Sequence, residues 1–140
     1  MTVVKELSCT QQPATLSSAS TVGKTVLIVE PDTSLRFLLE KAMQKACYRT
    51  ICASRIDEIL TILYHQPVDL ILIDIITNRW EDFNACRDIR QHFPIPIVIL
   101  SAHSSSAVQK QAEQLAATAY LRKPIRLSQL HQCVASLLGD

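Results

Sequence analysis

Val68-Asp69-Leu70-Ile71-Leu72-Ile73-Asp74 decides the fold. Its apolar run carries no polar residue between Leu70 and Ile73. That is the signature of a strand covered on both faces in a parallel sheet, and not of a half-exposed strand with period two. Asp74 ends the run, and open α/β sheets bind their ligands at the carboxyl ends of their strands. Three more runs of this type can be read in the chain. Thr25-Val26-Leu27-Ile28-Val29 is followed by Glu30 and Asp32. Ile95-Pro96-Ile97-Val98-Ile99-Leu100 is followed by Ser101. Ala119-Tyr120-Leu121 leads into Lys123-Pro124. Carboxylates, a hydroxyl and an ammonium at four strand ends can together handle a phosphoryl group and a divalent cation.

Helical patterns alternate with these strands. Leu35, Leu38, Leu39, Ala42, Met43 and Ala46 recur at spacings of three and four. Tyr48 to Cys52 reads as a short strand. Ser54 is expected to cap a helix striped by Ile56, Ile59, Leu60 and Leu63, and Pro67 breaks the chain after it. Phe83, Cys86, Ile89 and Phe93 mark a third helix; Val108, Ala112 and Leu115 a fourth; Leu130, Cys133, Val134, Leu137 and Leu138 the last. Five βα units imply a doubly wound five-stranded parallel sheet with helices on both faces, because the crossovers are right-handed. Residues 24–140 are therefore expected to form one domain, with residues 1–23 as a flexible tail rich in Ser and Thr. No further domain is expected after the last helix.

Bulk composition narrows the class. The chain has 140 residues, 48% of them hydrophobic and 19% charged, with a formal net charge of +1. One domain with a real core fits that length. So small a net charge gives no electrostatic pull toward nucleic acid or an anionic membrane, so neither is expected as a partner. The five cysteines (Cys9, Cys47, Cys52, Cys86 and Cys133) lack Cys-x-x-Cys spacing. They read as reduced core residues of a cytoplasmic protein. The tail lacks the apolar stretch of a secretory signal, and nothing reaches the length of a membrane span.

From Lys24 to Asp140 the chain resembles the receiver domain of bacterial response regulators. The resemblance lies in Val-Leu-Ile-Val-Glu-Pro-Asp at 26–32, Leu-Ile-Leu-Ile-Asp at 70–74 and Asp-Phe-Asn-Ala-Cys-Arg-Asp-Ile-Arg at 82–90. Ile-Val-Ile-Leu-Ser-Ala at 97–102 and Tyr-Leu-Arg-Lys-Pro-Ile at 120–125 complete it. Each piece alone is weak, but five in order are specific. The resemblance implies the flavodoxin-like strand order 2-1-3-4-5. It implies that Asp74 accepts a phosphoryl group from a histidine kinase or phosphotransfer protein, that Lys123 contacts that group, and that Ser101 and Tyr120 form the switch. It further implies a Mg2+ site built from Glu30, Asp32, Asp74 and the backbone carbonyl of Ile76. The output would pass by contact to a separate protein.

The residues support this chemistry in their own right. Transfer to a carboxylate makes an acyl phosphate, and catalysis is mostly positioning plus charge stabilisation. Magnesium favours a few carboxylates and waters. The Lys123-Pro124 bond is a plausible cis peptide, and Asp32 can also cap the first helix.

Some positions depart from the family pattern. Pro31 stands where a second adjacent acidic residue is usual, which lowers the expected magnesium affinity. Asn78 and Asp82 replace a usual Pro and Gly, leaving Trp80 in an unusual loop. Ile76 and His103 occupy positions that flank the phosphoryl group, and Ala116 replaces a usual Gly. The competing reading is a pseudo-receiver, an interaction module that works without phosphorylation. A small aspartate-nucleophile phosphatase is set aside because Ile76 stands where its second Asp is needed. A flavodoxin is set aside because the acidic Glu30-Pro31-Asp32 loop would repel a flavin phosphate.

Overall fold

The computed structural model describes residues 23–74, 80–102 and 119–139, with the backbone alone at 80–83. Five strands run β1 (Thr25–Val29), β2 (Arg49–Ala53), β3 (Leu70–Asp74), β4 (Ile97–Ser101) and β5 (Ala119–Arg122). The described helices are α1 (Thr33–Lys45), α2 (Ile59–His65), α3 (Trp80–His92) and α4 (Leu127–Leu138), with a 3-10 turn at Ile56–Glu58 before α2. All strand pairs are parallel, in the order β2-β1-β3-β4-β5. The chain leaves β1 toward β2 on one side and returns to β3 on the other. The order therefore reverses beside β1, which is where a doubly wound sheet opens a crevice.

Side chains alternate across the sheet. Leu27, Val29, Ile71, Ile73, Ile97 and Ile99 pack with Ile59 and Leu63 of α2 and with Cys86 and Ile89 of α3. Val26, Ile28, Leu70, Leu72, Val98 and Leu100 pack with Leu39 and Met43 of α1 and with Leu130, Val134 and Leu138 of α4. Two cores on opposite faces of a buried sheet account for the unbroken apolar runs. At the amino end of the sheet, Asp69 Oδ2 accepts the Thr25 amide at 2.7 Å, and the Asp69 amide returns a bond to Thr25 O at 2.8 Å. Gly139 ends α4 in the left-handed region, at φ 81°.

Several local expectations are corrected. Leu38 is 48% exposed, although the helical spacing put it on the buried stripe. The stripe narrows because α1 meets the sheet chiefly through Leu39 and Met43. The second strand lies one residue later than expected, at Arg49–Ala53. Ser54 does not cap the following helix. Glu58 accepts from the amides of Ser54 and Arg55, at 3.3 and 3.0 Å, and organises the turn instead. Cys52, Cys86 and Cys133 form no disulfide. Cys47, in the left-handed turn after α1 and not in a core, is disulfide-bonded. The helix read at Val108, Ala112 and Leu115 lies outside the described residues, as do Ile76, Asn78, His103 and Ala116.

Candidate functional site

The register brings the polar strand ends together. Val29 pairs with Ile73, so Glu30 emerges beside Asp74. Asp74 pairs with Leu100, so Ser101 stands one step beyond it. Ser101 pairs with Arg122, and the Lys123 amide donates to Ser101 O at 2.8 Å. The Lys123-Pro124 peptide is cis, as the sequence suggested.

Lys123 Nζ lies 2.7 Å from Asp74 Oδ1 and 3.2 Å from Glu30 Oε1. Both acidic side chains are only 1% exposed, and that of Lys123 is 20% exposed. Two buried carboxylates thus share one ammonium. Asp74 Oδ2 is buried and accepts no hydrogen bond from any described residue. A buried charged oxygen without a donor is costly unless a ligand compensates it.

Burial is the largest influence on Glu30 and pushes its carboxyl above the usual range. Asp74 adds to the rise, while the Asp32 amide and Lys123 oppose it. For Lys123, burial works downward, but Asp74 and Glu30 outweigh it and hold the ammonium above its ordinary value. Lys123 is therefore charged throughout the neutral range.

Glu30 is fixed at every polar atom. Its amide donates to Ala53 O at 3.0 Å, and Oε2 accepts from the Asp32 amide at 3.1 Å. Its carbonyl accepts from Arg36 Nη1 at 2.7 Å. Asp32 serves the helix: its Oδ1 accepts from the amides of Ser34 and Leu35, at 2.9 and 3.3 Å, as an N-cap. Among the described residues no three acidic, His or Cys side chains gather as a metal group. Glu30, Asp74 and Lys123 are in contact, and Ser101 closes the neighbouring strand, fully buried. Tyr120 is half-buried and packs on the face of Ile97 and Ile99. Asp32 commits Oδ1 to capping α1. The Ile76 carbonyl lies outside the described residues.

The buried, donor-free Oδ2 of Asp74 is what a cation would satisfy, and Glu30 and Asp74 are hard oxygen donors. Two carboxylates suffice for magnesium, which keeps several waters, so these residues fit the ion. Arg36 was not foreseen. Its acceptors are main-chain carbonyls, and no residue type announces them.

The family model of the response regulator receiver domain matches residues 26–135. The chain belongs to that family. It is 31% identical over 99 residues to the transcriptional regulatory protein YxdJ of Bacillus subtilis, covering 71% of this chain and 43% of that protein. It is 28% identical over 115 residues to the probable transcriptional regulator ycf27 of Cyanophora paradoxa, covering 82% of this chain and 48% of the relative. The chain thus spans about half the length of the curated relatives it matches. A response regulator from Thermotoga maritima superposes with a TM-score of 0.78 at 26% identity, over 85% of this chain and 100% of that one. The receiver domain of a sensor histidine kinase from Pseudomonas aeruginosa, solved with magnesium coordinated in its active-site cleft, shares the fold at 22% identity. Its TM-score is 0.75, over 85% of this chain and 100% of that one. Receivers are signalling switches of two-component systems. Among the described residues, no helix is long and apolar enough to cross a membrane.

Proposed function

We propose that this receiver accepts a phosphoryl group on Asp74 from a histidine kinase or phosphotransfer protein and signals by contact with a separate output protein in the cytoplasm. The observation that carries this is the Asp74 carboxylate, buried at a strand end with Oδ1 held by Lys123 and Oδ2 without a donor. One oxygen of that carboxylate attacks phosphorus while the other stays with its cationic partners. The new O–P bond forms as the bond to the donor's leaving group breaks, and the leaving group takes up a proton from solvent. Lys123 offsets the charge that develops on the phosphoryl oxygens. Magnesium, held by Asp74 and Glu30, would supply further charge stabilisation there. Burial of Glu30 and its four hydrogen-bonding partners keep that carboxylate preorganised.

Ser101 and Tyr120 are proposed as the switch, with the hydroxyl drawn toward the phosphoryl group and the ring following. The output face would include Gln109, Glu113 and Arg126. Ile76 is proposed to slow hydrolysis by setting an apolar side chain beside the acyl phosphate.

The test is incubation with acetyl phosphate and magnesium, followed by intact-mass measurement. One acid-stable, base-labile phosphoryl group is expected, and Asp74→Asn should abolish it. Modification that survives in Asp74→Asn overturns the assignment. The pseudo-receiver reading draws support from Pro31 and from the capping role of Asp32, and it predicts that no magnesium binds.

A further inference from the structure

We infer that Arg36 is a positioning residue for the cation site, acting through the backbone of the loop that presents Glu30. Arg36 stands four residues after the N-cap Asp32, with its amide on Asp32 O at 2.8 Å in the first turn of α1. Its half-buried side chain folds back over the loop. One guanidinium nitrogen, Nη1, donates to Glu30 O at 2.7 Å and lies 3.4 Å from Pro31 O. Two consecutive carbonyls are thereby drawn to one point on a rigid helix.

This loop needs an outside donor. Pro31 has no N–H, so the segment between β1 and α1 has one hydrogen bond fewer with which to fix itself. The remaining anchors hold other parts of Glu30: Ala53 its amide, Lys123 and the Asp32 amide its carboxylate. Among the described residues, only the Arg36 bond ties the peptide between Glu30 and Pro31 to the helix. A swing of that peptide would carry the Glu30 carboxylate away from Asp74, with which it shares the Lys123 ammonium. With two carboxylates in place of a larger set, each one's placement weighs more on affinity.

The inference rests on the receiver reading only for the choice of magnesium. Positioning and simple electrostatics predict opposite signs. Removing a nearby positive charge should tighten cation binding, whereas loosening the loop should weaken it.

The test is calorimetric magnesium titration of the full chain, with thermal melts to confirm folding. Arg36→Ala should weaken binding on the order of tenfold, as outer-shell changes do. Arg36→Lys, whose ammonium can still reach a carbonyl, should fall between Arg36→Ala and the parent chain. If Arg36→Ala does not fold, Arg36→Gln carries the same comparison. In the acetyl phosphate reaction the loss should appear as a higher half-saturating magnesium concentration, with the rate at saturation retained. In a Glu30→Gln background, Arg36→Ala should cost nothing more. Unchanged or tighter binding in Arg36→Ala, an equal loss in the Glu30→Gln background, or no magnesium binding by the parent chain overturns the inference. Magnesium binding without phosphoryl uptake defeats the phosphoacceptor reading and leaves the role of Arg36 intact.

Discussion

The Lys123 ammonium rests 2.7 Å from Asp74 Oδ1 and is the counter-ion for a carboxylate that is 1% exposed. Taking it away leaves Glu30 and Asp74 buried beside one another with nothing between them. Breaking a fully buried pair costs about 3–5 kcal/mol. Lys123 still meets some solvent, so Lys123→Met should lose about 2 kcal/mol at neutral pH in chelator, and magnesium should restore part of it. Urea unfolding with and without magnesium measures both. An unchanged midpoint in chelator would show that the two carboxylates tolerate each other unaided.

Asp32 separates a helix cap from a metal ligand. Asp32→Ala should cost about 1 kcal/mol, while Asp32→Ser, which also caps, should stay near the parent chain. Magnesium affinity in Asp32→Ser should equal that of the parent. A clear drop would place the Asp32 carboxylate in the cation's coordination sphere after all.

Pro31 offers no side-chain oxygen at the pocket's rim. Pro31→Asp should tighten magnesium binding by adding a hard oxygen donor. Calorimetry decides, and equal affinity would mean that the new carboxylate cannot turn toward Asp74.

Cys52, on the edge strand β2, should be slow to react. Burial first, and then Glu40, push its thiol from an ordinary 9.0 to about 11. At pH 8 its thiolate fraction is about a hundredfold below that of an ordinary cysteine. Alkylation followed against pH should accelerate toward pH 11, and Glu40→Gln should bring that rise to lower pH. Because the folded state holds the thiol protonated, Cys52 contributes stability below pH 9 that is lost as pH climbs toward 11. Rapid labelling at pH 8 would contradict this environment.

Much of the architecture was legible in the sequence. The runs at Thr25–Val29, Leu70–Asp74 and Ile97–Ser101 are apolar because both faces of the sheet are covered, and their ends fall where register demands. Glu30, Asp74 and Ser101 were readable because each is the first polar residue after such a run, and Lys123 because it follows Arg122 directly at the end of β5 and precedes Pro124. What stayed hidden depends on partners that residue type does not encode. Leu38 satisfies helical periodicity yet faces solvent, because α1 buries chiefly Leu39 and Met43 against the sheet, with Leu35 and Ala42 partly covered beside them. Glu58, not Ser54, organises its turn because the longer carboxylate reaches two amides. Arg36 binds carbonyls, which every residue carries.

The alternation along β3 makes the sheet a partition. Ile71 and Ile73 belong with α2 and α3, and Leu70 and Leu72 with α1 and α4. The two compartments share a wall but few packing neighbours, so a cavity opened on one side has nothing to borrow from the other. Damage at Leu72 should be repairable by enlarging residues of α1 or α4 and indifferent to changes in α2. The domain is, in mutational terms, two half-independent molecules joined at the strand backbones, and Asp74 stands at the edge where they meet.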